Sequence, residues 1–189
     1  MRHARLRAQT QAPHERAEAL ADALGATTTL DGYRAFLRAM HRFHRRAEAG
    51  LDRAEAERLL PGWAPQRRAS LIAADLRALG DADDDAPLPA LAIDGAGAAL
   101  GLLYVVEGSA LGARMLLPQV RALGAPADRA TSFLERHAAA PERWRAFLSR
   151  LDAAALDATQ EHALTASARG AFAAVIEHLQ EQQERRDAR

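Results

Sequence analysis

The chain has 189 residues, 49% apolar and 26% charged, with 25 basic residues balanced by 25 acidic ones and no cysteine. That length suits one buried core; zero net charge argues against nucleic acid or an anionic membrane as partner; missing thiols exclude disulfides, iron–sulfur clusters and cysteine nucleophiles, leaving histidine and carboxylate as metal ligands. Abundant Ala, Leu and Arg with few β-branched runs predict an all-α fold in a single domain, residues 1–189.

In chain order, Leu6, Thr10, His14, Ala17, Ala21 and Leu24 recur at helical spacing and predict a first helix ending near Leu24, where Gly25 offers a left-handed stop. Pro13 removes a backbone donor and disfavours helical geometry at Ala12, so a kink or a late helix start is expected beside His14. Thr28 and Asp31 resemble a capping box for a second helix carrying Leu30, Tyr33, Phe36, Leu37, Met40, Phe43 and Ala47, to Gly50 or beyond. A short helical piece over 52–60 ends at Pro61, and Pro65 is expected to open a helix carrying Leu71, Ile72, Leu76 and Leu79 before Gly80. Residues 81–89 form an acidic loop. Asp94 is the expected N-cap of a long apolar segment to Gly124, which contains Gly95, Gly97, Gly101, Gly108 and Gly112. Pro126 and Pro141 each start a short helix, the second carrying Trp144, Phe147, Leu148 and Leu151. A last helix runs from about Asp157 to Arg186, its polar end (about 181–189) expected to fray. The N-terminus has no apolar signal core, and the longest uncharged stretch, Gly95 to Val106, is too short to span a bilayer, which predicts a cytoplasmic protein.

Two features bear on chemistry. His14 has Glu18 at i+4, where a carboxylate can fix the tautomer of a metal-bound imidazole, but His44 and Glu48 repeat that spacing, so spacing does not choose between them. Gly108 and Gly112 share one helix face and open a flat groove, with Ser109 beside it to hold a water; close helix packing explains the same pair. A zinc site at His41-x-x-His44 falls short of three or four ligands, and no Glu-x-x-His occurs for a di-iron bundle.

LRAQTQAPHERAE (6–18) together with YVVEGSALGA (104–113) resembles two signature segments of the heme oxygenase family, bacterial branch. Arg7, Thr10, His14 and Glu18 match the proximal pattern in order; Tyr104, Glu107, Gly108, Ser109, Leu111, Gly112 and Ala113 match the distal one. SFLERHAAAPERWRAFLSRLDA and the late ARGAF extend the likeness to members encoded beside bacteriophytochromes. The resemblance implies an oxygenase that opens heme, both cofactor and substrate, to biliverdin with release of carbon monoxide and ferrous iron. It further implies His14 as axial iron ligand, Glu18 as its orienting group, and Gly108, Ser109 and Gly112 as the distal cover and water network. Arg7 and Tyr104 then meet a propionate, Arg145 or Arg150 the other, and Phe172 the heme edge. Oxygen, an electron donor such as ferredoxin or a reductase, and a bacteriophytochrome as biliverdin acceptor are the implied partners. Ser109 stands where mammalian members carry Asp, and Ala113 replaces a Gly of the bacterial pattern. Two other readings stay open from the residues alone: a noncatalytic heme or bilin carrier, and a helical interaction module.

Overall fold

The computed structural model describes residues 1–54, 56–63, 67–81, 86–139 and 141–188, and these are all-helical. The helices are α1 (Arg2–Ala23), α2 (Leu30–Arg53), α3 (Ala56–Leu59), α4 (Ala69–Ala78), α5 (Gly95–Arg121), α6 (Ser132–Ala138), α7 (Pro141–Ala153) and α8 (Ala158–Asp187), with a 3-10 turn at Ala127–Arg129. Helix α8 is the spine on which α1, α2 and α5 pack; α6 and α7 cover α5, and α4 lies on α2.

Helix starts divide into those set by local signals and those set from a distance. Asp157 caps α8 in a capping box with Gln160, and Gly25 at φ +73° ends the turn after α1. At α2 the cap is Thr29, not Thr28: its Oγ1 accepts from Gly32 N–H at 3.0 Å, while Asp31 pairs outward with Arg34. Pro65 lies outside the described residues; α4 begins at Ala69 because Glu48, on α2, accepts the N–H groups of Arg68 and Ala69 at 2.5 and 3.0 Å. Asp75 of α4 in turn accepts from Ser132 and Phe133 at the start of α6. Buried carboxylates thus replace the missing local caps, and burial raises both above the usual carboxylate range. Pro126 precedes only the 3-10 turn; α6 starts six residues later.

Two expectations at the ends of the chain are corrected. Helix α1 starts at Arg2 and passes through Pro13 unbroken. Its first turn is anchored by Arg2 to Glu161 (2.7 Å) and to the carbonyls of Leu151 and Ala154, and by His3 to Asp152 (2.6 Å). The end of α8 stays helical to Asp187, held by buried Gln182 and by the Arg186 guanidinium, which donates to the Leu24 carbonyl.

Helix α5 is long and apolar enough to cross a membrane by length and composition, yet 67% of its most apolar stretch is buried in the bundle. Its glycines separate into two groups. A Cβ at Gly97 would lie 2.1 Å from the Gln160 carbonyl oxygen, and one at Gly101 2.2 Å from that of Leu164, so α5 and α8 touch backbone to backbone. At Gly112 a Cβ would meet nothing within 4 Å. Opposite outcomes are expected in urea unfolding of the apoprotein. Gly101→Ala should lose about 2–3 kcal/mol by forcing two backbones apart, while Gly112→Ala should gain up to about 1 kcal/mol of helix propensity.

Candidate functional site

The inward stripe of α1 opens part-way along. Leu6 and Thr10 are buried and Ala17, Ala21 and Leu24 pack on the core, but the His14 side chain is 55% exposed. Its Nδ1 lies 3.3 Å from Glu18 Oε2, and its ring meets Phe172 of α8 edge-on at 5.6 Å between centroids. Nε2 has no protein partner among the described residues.

Helices α1, α5 and α8 run in the same direction. Arg2 meets Glu161, and Gly97 meets Gln160. Eleven or twelve residues further, roughly 17 Å at helical rise, come His14 on α1, Gly108 on α5 and Phe172 on α8. The register therefore sets His14 and Gly108 at one height on either side of Phe172. One turn below, the Tyr104 phenol stands beside the Thr10 side chain in the field of Arg7; burial raises its pKa, against both of these neighbours. The Tyr104 ring packs on Trp144 at 5.5 Å, and Trp144 stacks on Phe147 at 5.7 Å.

The side of α8 that carries Phe172, between α1 and α5 and with Tyr104 and Thr10 at one end, is the candidate cleft. Along α5, Trp144 lies 3.3 Å from where a Gly108 Cβ would sit, whereas Gly112 is uncovered. Beside Gly112, Leu111 and Met115 are 53% and 69% exposed, apolar surface with nothing over it. Ser109 is exposed and its Oγ donates to the Val106 carbonyl at 2.7 Å. Arg145 and Arg150 lie on the exposed side of α7.

A heme oxygenase family model matches residues 91–181. Heme oxygenase PigA of Pseudomonas aeruginosa is 31% identical over 178 residues, spanning 91% of this chain and 88% of the relative. The chain belongs to the heme oxygenase family. A heme oxygenase of Xanthomonas campestris pv. campestris is 31% identical over 136 residues, 70% of this chain and 81% of that protein. The structure of the NO- and CO-bound heme oxygenase from Neisseria meningitidis superposes with a TM-score of 0.78 at 28% identity, over 96% of this chain and 92% of the other. The protein is thus a heme oxygenase of the bacterial type, all-helical, with heme as substrate and prosthetic group. Named enzymes among its relatives do not favour the carrier or the interaction module. The residues present fit heme: an exposed imidazole, an uncovered glycine between exposed Leu111 and Met115, and a guanidinium and a phenol suited to carboxylates.

Three residues of this heme oxygenase have surroundings that sequence reasoning did not reveal. Trp144 covers Gly108, a contact between helices that no spacing reveals. Glu107, in the distal motif, is 2% exposed and binds Arg68 (3.2 Å) and Arg143 (2.8 Å), joining α5 to α7 and to the start of α4. His44 is a core residue, 1% exposed, packed edge-on to Phe133 and 6.2 Å from His137, and 3.9 Å from Glu48, which is engaged in capping α4.

Burial, with the charge of Arg68 adding to it, holds His44 and His137 well below the ordinary imidazole pKa. Both stay neutral in the fold while the unfolded chain takes up protons below about pH 6.5, so their contribution is present above that pH and lost below it. Unfolding stability is expected to fall by about 2–3 kcal/mol between roughly pH 7.5 and 5.5. Glu48 and Asp75, raised by burial, act with opposite sign: they bind protons in the fold before the unfolded chain does, as pH falls toward the ordinary carboxylate range. Urea midpoints across the range check this, and His137→Phe should remove about half of the slope.

Proposed function

We propose that heme lies in the α1/α5 cleft with His14 Nε2 as the axial ligand of its iron. The observation that carries this is the exposed His14 imidazole on α1 together with the uncovered, apolar Gly112 face of α5, one turn beyond the height of His14. When bound, heme supplies the iron that takes up oxygen and is itself the molecule opened to biliverdin, carbon monoxide and ferrous iron. The remaining work falls to this chain's side chains.

Glu18 Oε2, 3.3 Å from Nδ1, is placed to hold the tautomer that leaves Nε2 free. Phe172 limits rotation of the ring by edge-on packing. The Arg7 guanidinium and the Tyr104 hydroxyl grip a propionate, and Arg145 or Arg150 the second. Gly112 lets the α5 backbone approach the distal face, and Gly108 lets the Trp144 ring lie against the helix beside it, which together restrict what fits above the iron. The Ser109 hydroxyl hydrogen is committed to the Val106 carbonyl, so its oxygen accepts from a water, holding that water's second hydrogen toward the cleft. On the likeness to bacterial members, a ferredoxin or similar reductase gives electrons in the cytoplasm and a bacteriophytochrome receives the biliverdin.

Hemin titration of the purified protein, followed by reductant under air, tests the reading. A saturating one-to-one Soret band that decays as a biliverdin band grows is expected. Saturating binding with no bilin from any donor would reduce the protein to a carrier.

A further inference from the structure

A small cavity lies where α5, α6 and α7 meet the residue that precedes α4. Arg68, Glu107, Arg136, His137 and Arg143 are its polar lining, and the Trp144 ring closes one wall. It measures about 10 Å³, room for one water or one atom of similar size, so a sulfate, a phosphate or a carboxylate has no place in it.

Two of the side chains that line it are deeply buried and incompletely satisfied. Arg68 and His137 are each 4% exposed. Arg68 Nη2 donates to Glu107 at 3.2 Å, but its Nη1 has no hydrogen-bond partner, and neither ring nitrogen of His137 has one. Burial, with the charge of Arg68 adding to it, keeps His137 neutral, so one of those two nitrogens carries a hydrogen to donate. Buried donors left in this state have given up hydration that nothing else in the fold returns.

The carboxylates around the cavity are already engaged. Glu107 accepts from Arg68 and from both Nε and Nη2 of Arg143. Glu48 accepts the N–H groups of Arg68 and Ala69, and Glu57 accepts that of Gly62; neither lines the space. Arg136 is exposed and forms no ion pair among the described residues. Three guanidinia therefore line the cavity with one carboxylate. A water would satisfy the Arg68 donor and leave that charge unbalanced, whereas an anion does both.

We infer that this cavity binds a single monoatomic anion of the halide class, chloride in ordinary solution, between Arg68, Arg136 and His137. Such an ion is little larger than a water and accepts from several N–H groups at once, and Arg136, on the surface, can shift to admit it. The bound ion ties the start of α4 to α6, beside the Glu107–Arg143 pair that ties α5 to α7.

The test is chloride titration of the full chain without heme, so that iron cannot take the ion. At constant ionic strength made up with sodium gluconate, whose anion is too large for the cavity, urea midpoints should rise with chloride along one saturating curve. Arg136→Gln should raise the half-saturating concentration about threefold or more, the order expected for one exposed charge at contact range. His137→Phe fills the space with a ring that donates nothing and should abolish the response. Bromide diffused into crystals should give an anomalous peak between Arg68 and His137. A midpoint indifferent to chloride, or a response left unchanged by either substitution, would overturn the assignment. So would a site holding water alone, and so would a bromide peak with no response in solution, which would mean an adventitious ion only.

Discussion

His14→Ala is expected to lower hemin affinity at least 100-fold, about 2.7 kcal/mol, and to bring biliverdin formation to the background of free hemin. Loss of a group that merely orients a metal ligand costs about 10–100-fold, so Glu18→Gln should fall short of the ligand's own removal by about tenfold. The two variants separate coordination from shape. The apolar Gly112 face and the Arg7–Tyr104 end of the cleft remain in both, so residual hemin association should persist without the ligated Soret position. Added imidazole should restore that position in His14→Ala and not in a variant that has lost the cleft. The fold offers little ground for a structural explanation: the side chain is 55% exposed and touches Glu18 and Phe172, so unfolding stability should change by less than about 0.5 kcal/mol. If His14→Ala binds hemin with wild-type affinity and spectrum, the iron is held elsewhere.

His44→Ala makes the complementary case. It has the same i+4 glutamate, and on spacing the two histidines are equivalent. Only the third dimension tells them apart: α2 is enclosed by α4, α5 and α8, which seals His44, whereas α1 lies on α8 with one edge open. The same reasoning explains what else was legible. Gly25 and Asp157 act within a few residues, so their turns and caps can be read from the sequence. Glu48 and Asp75 cap helices that begin 21 and 57 residues away, and nothing near Ala69 or Ser132 announces them. The tail of α8 is polar and looks ready to fray, but Arg186 reaches across to Leu24. The glycines of α5 pointed to close approach without saying of what; Gly97 and Gly101 meet the α8 backbone, and Gly112 meets open space. Resemblance located the proximal and distal segments, and the common direction of α1, α5 and α8 brings them to one height.

Glu107→Gln should be the most destabilising of the conservative substitutions around the cleft, by about 3–5 kcal/mol. Its carboxylate, 3% exposed, stands between Arg68, 5% exposed, and Arg143, 17% exposed. Burial already pulls the Arg68 guanidinium below its ordinary pKa while Glu107 acts in the opposite sense. Removing that negative charge leaves two guanidinia facing each other in a space with room for about one water. Arg143 also donates to the Gly62 carbonyl, and Arg68 lies over the Trp63 ring at 5.7 Å, so neither cation can swing clear without giving up further contacts. The loss should be one of unpaired charge more than of the ion network's own worth. Accordingly Arg68→Met/Glu107→Leu/Arg143→Met, which removes all three charges together, should recover most of the stability that Glu107→Gln loses. Its activity should not recover in step. Arg143 precedes Trp144, whose ring rests on Gly108, so a methionine at 143 removes the ion pair to Glu107 that ties this part of α7 to α5. A stable triple variant with weakened hemin binding would assign Glu107 to holding Trp144 against the distal helix. A stable triple variant with wild-type hemin binding would leave it as a purely structural tie between α5 and α7.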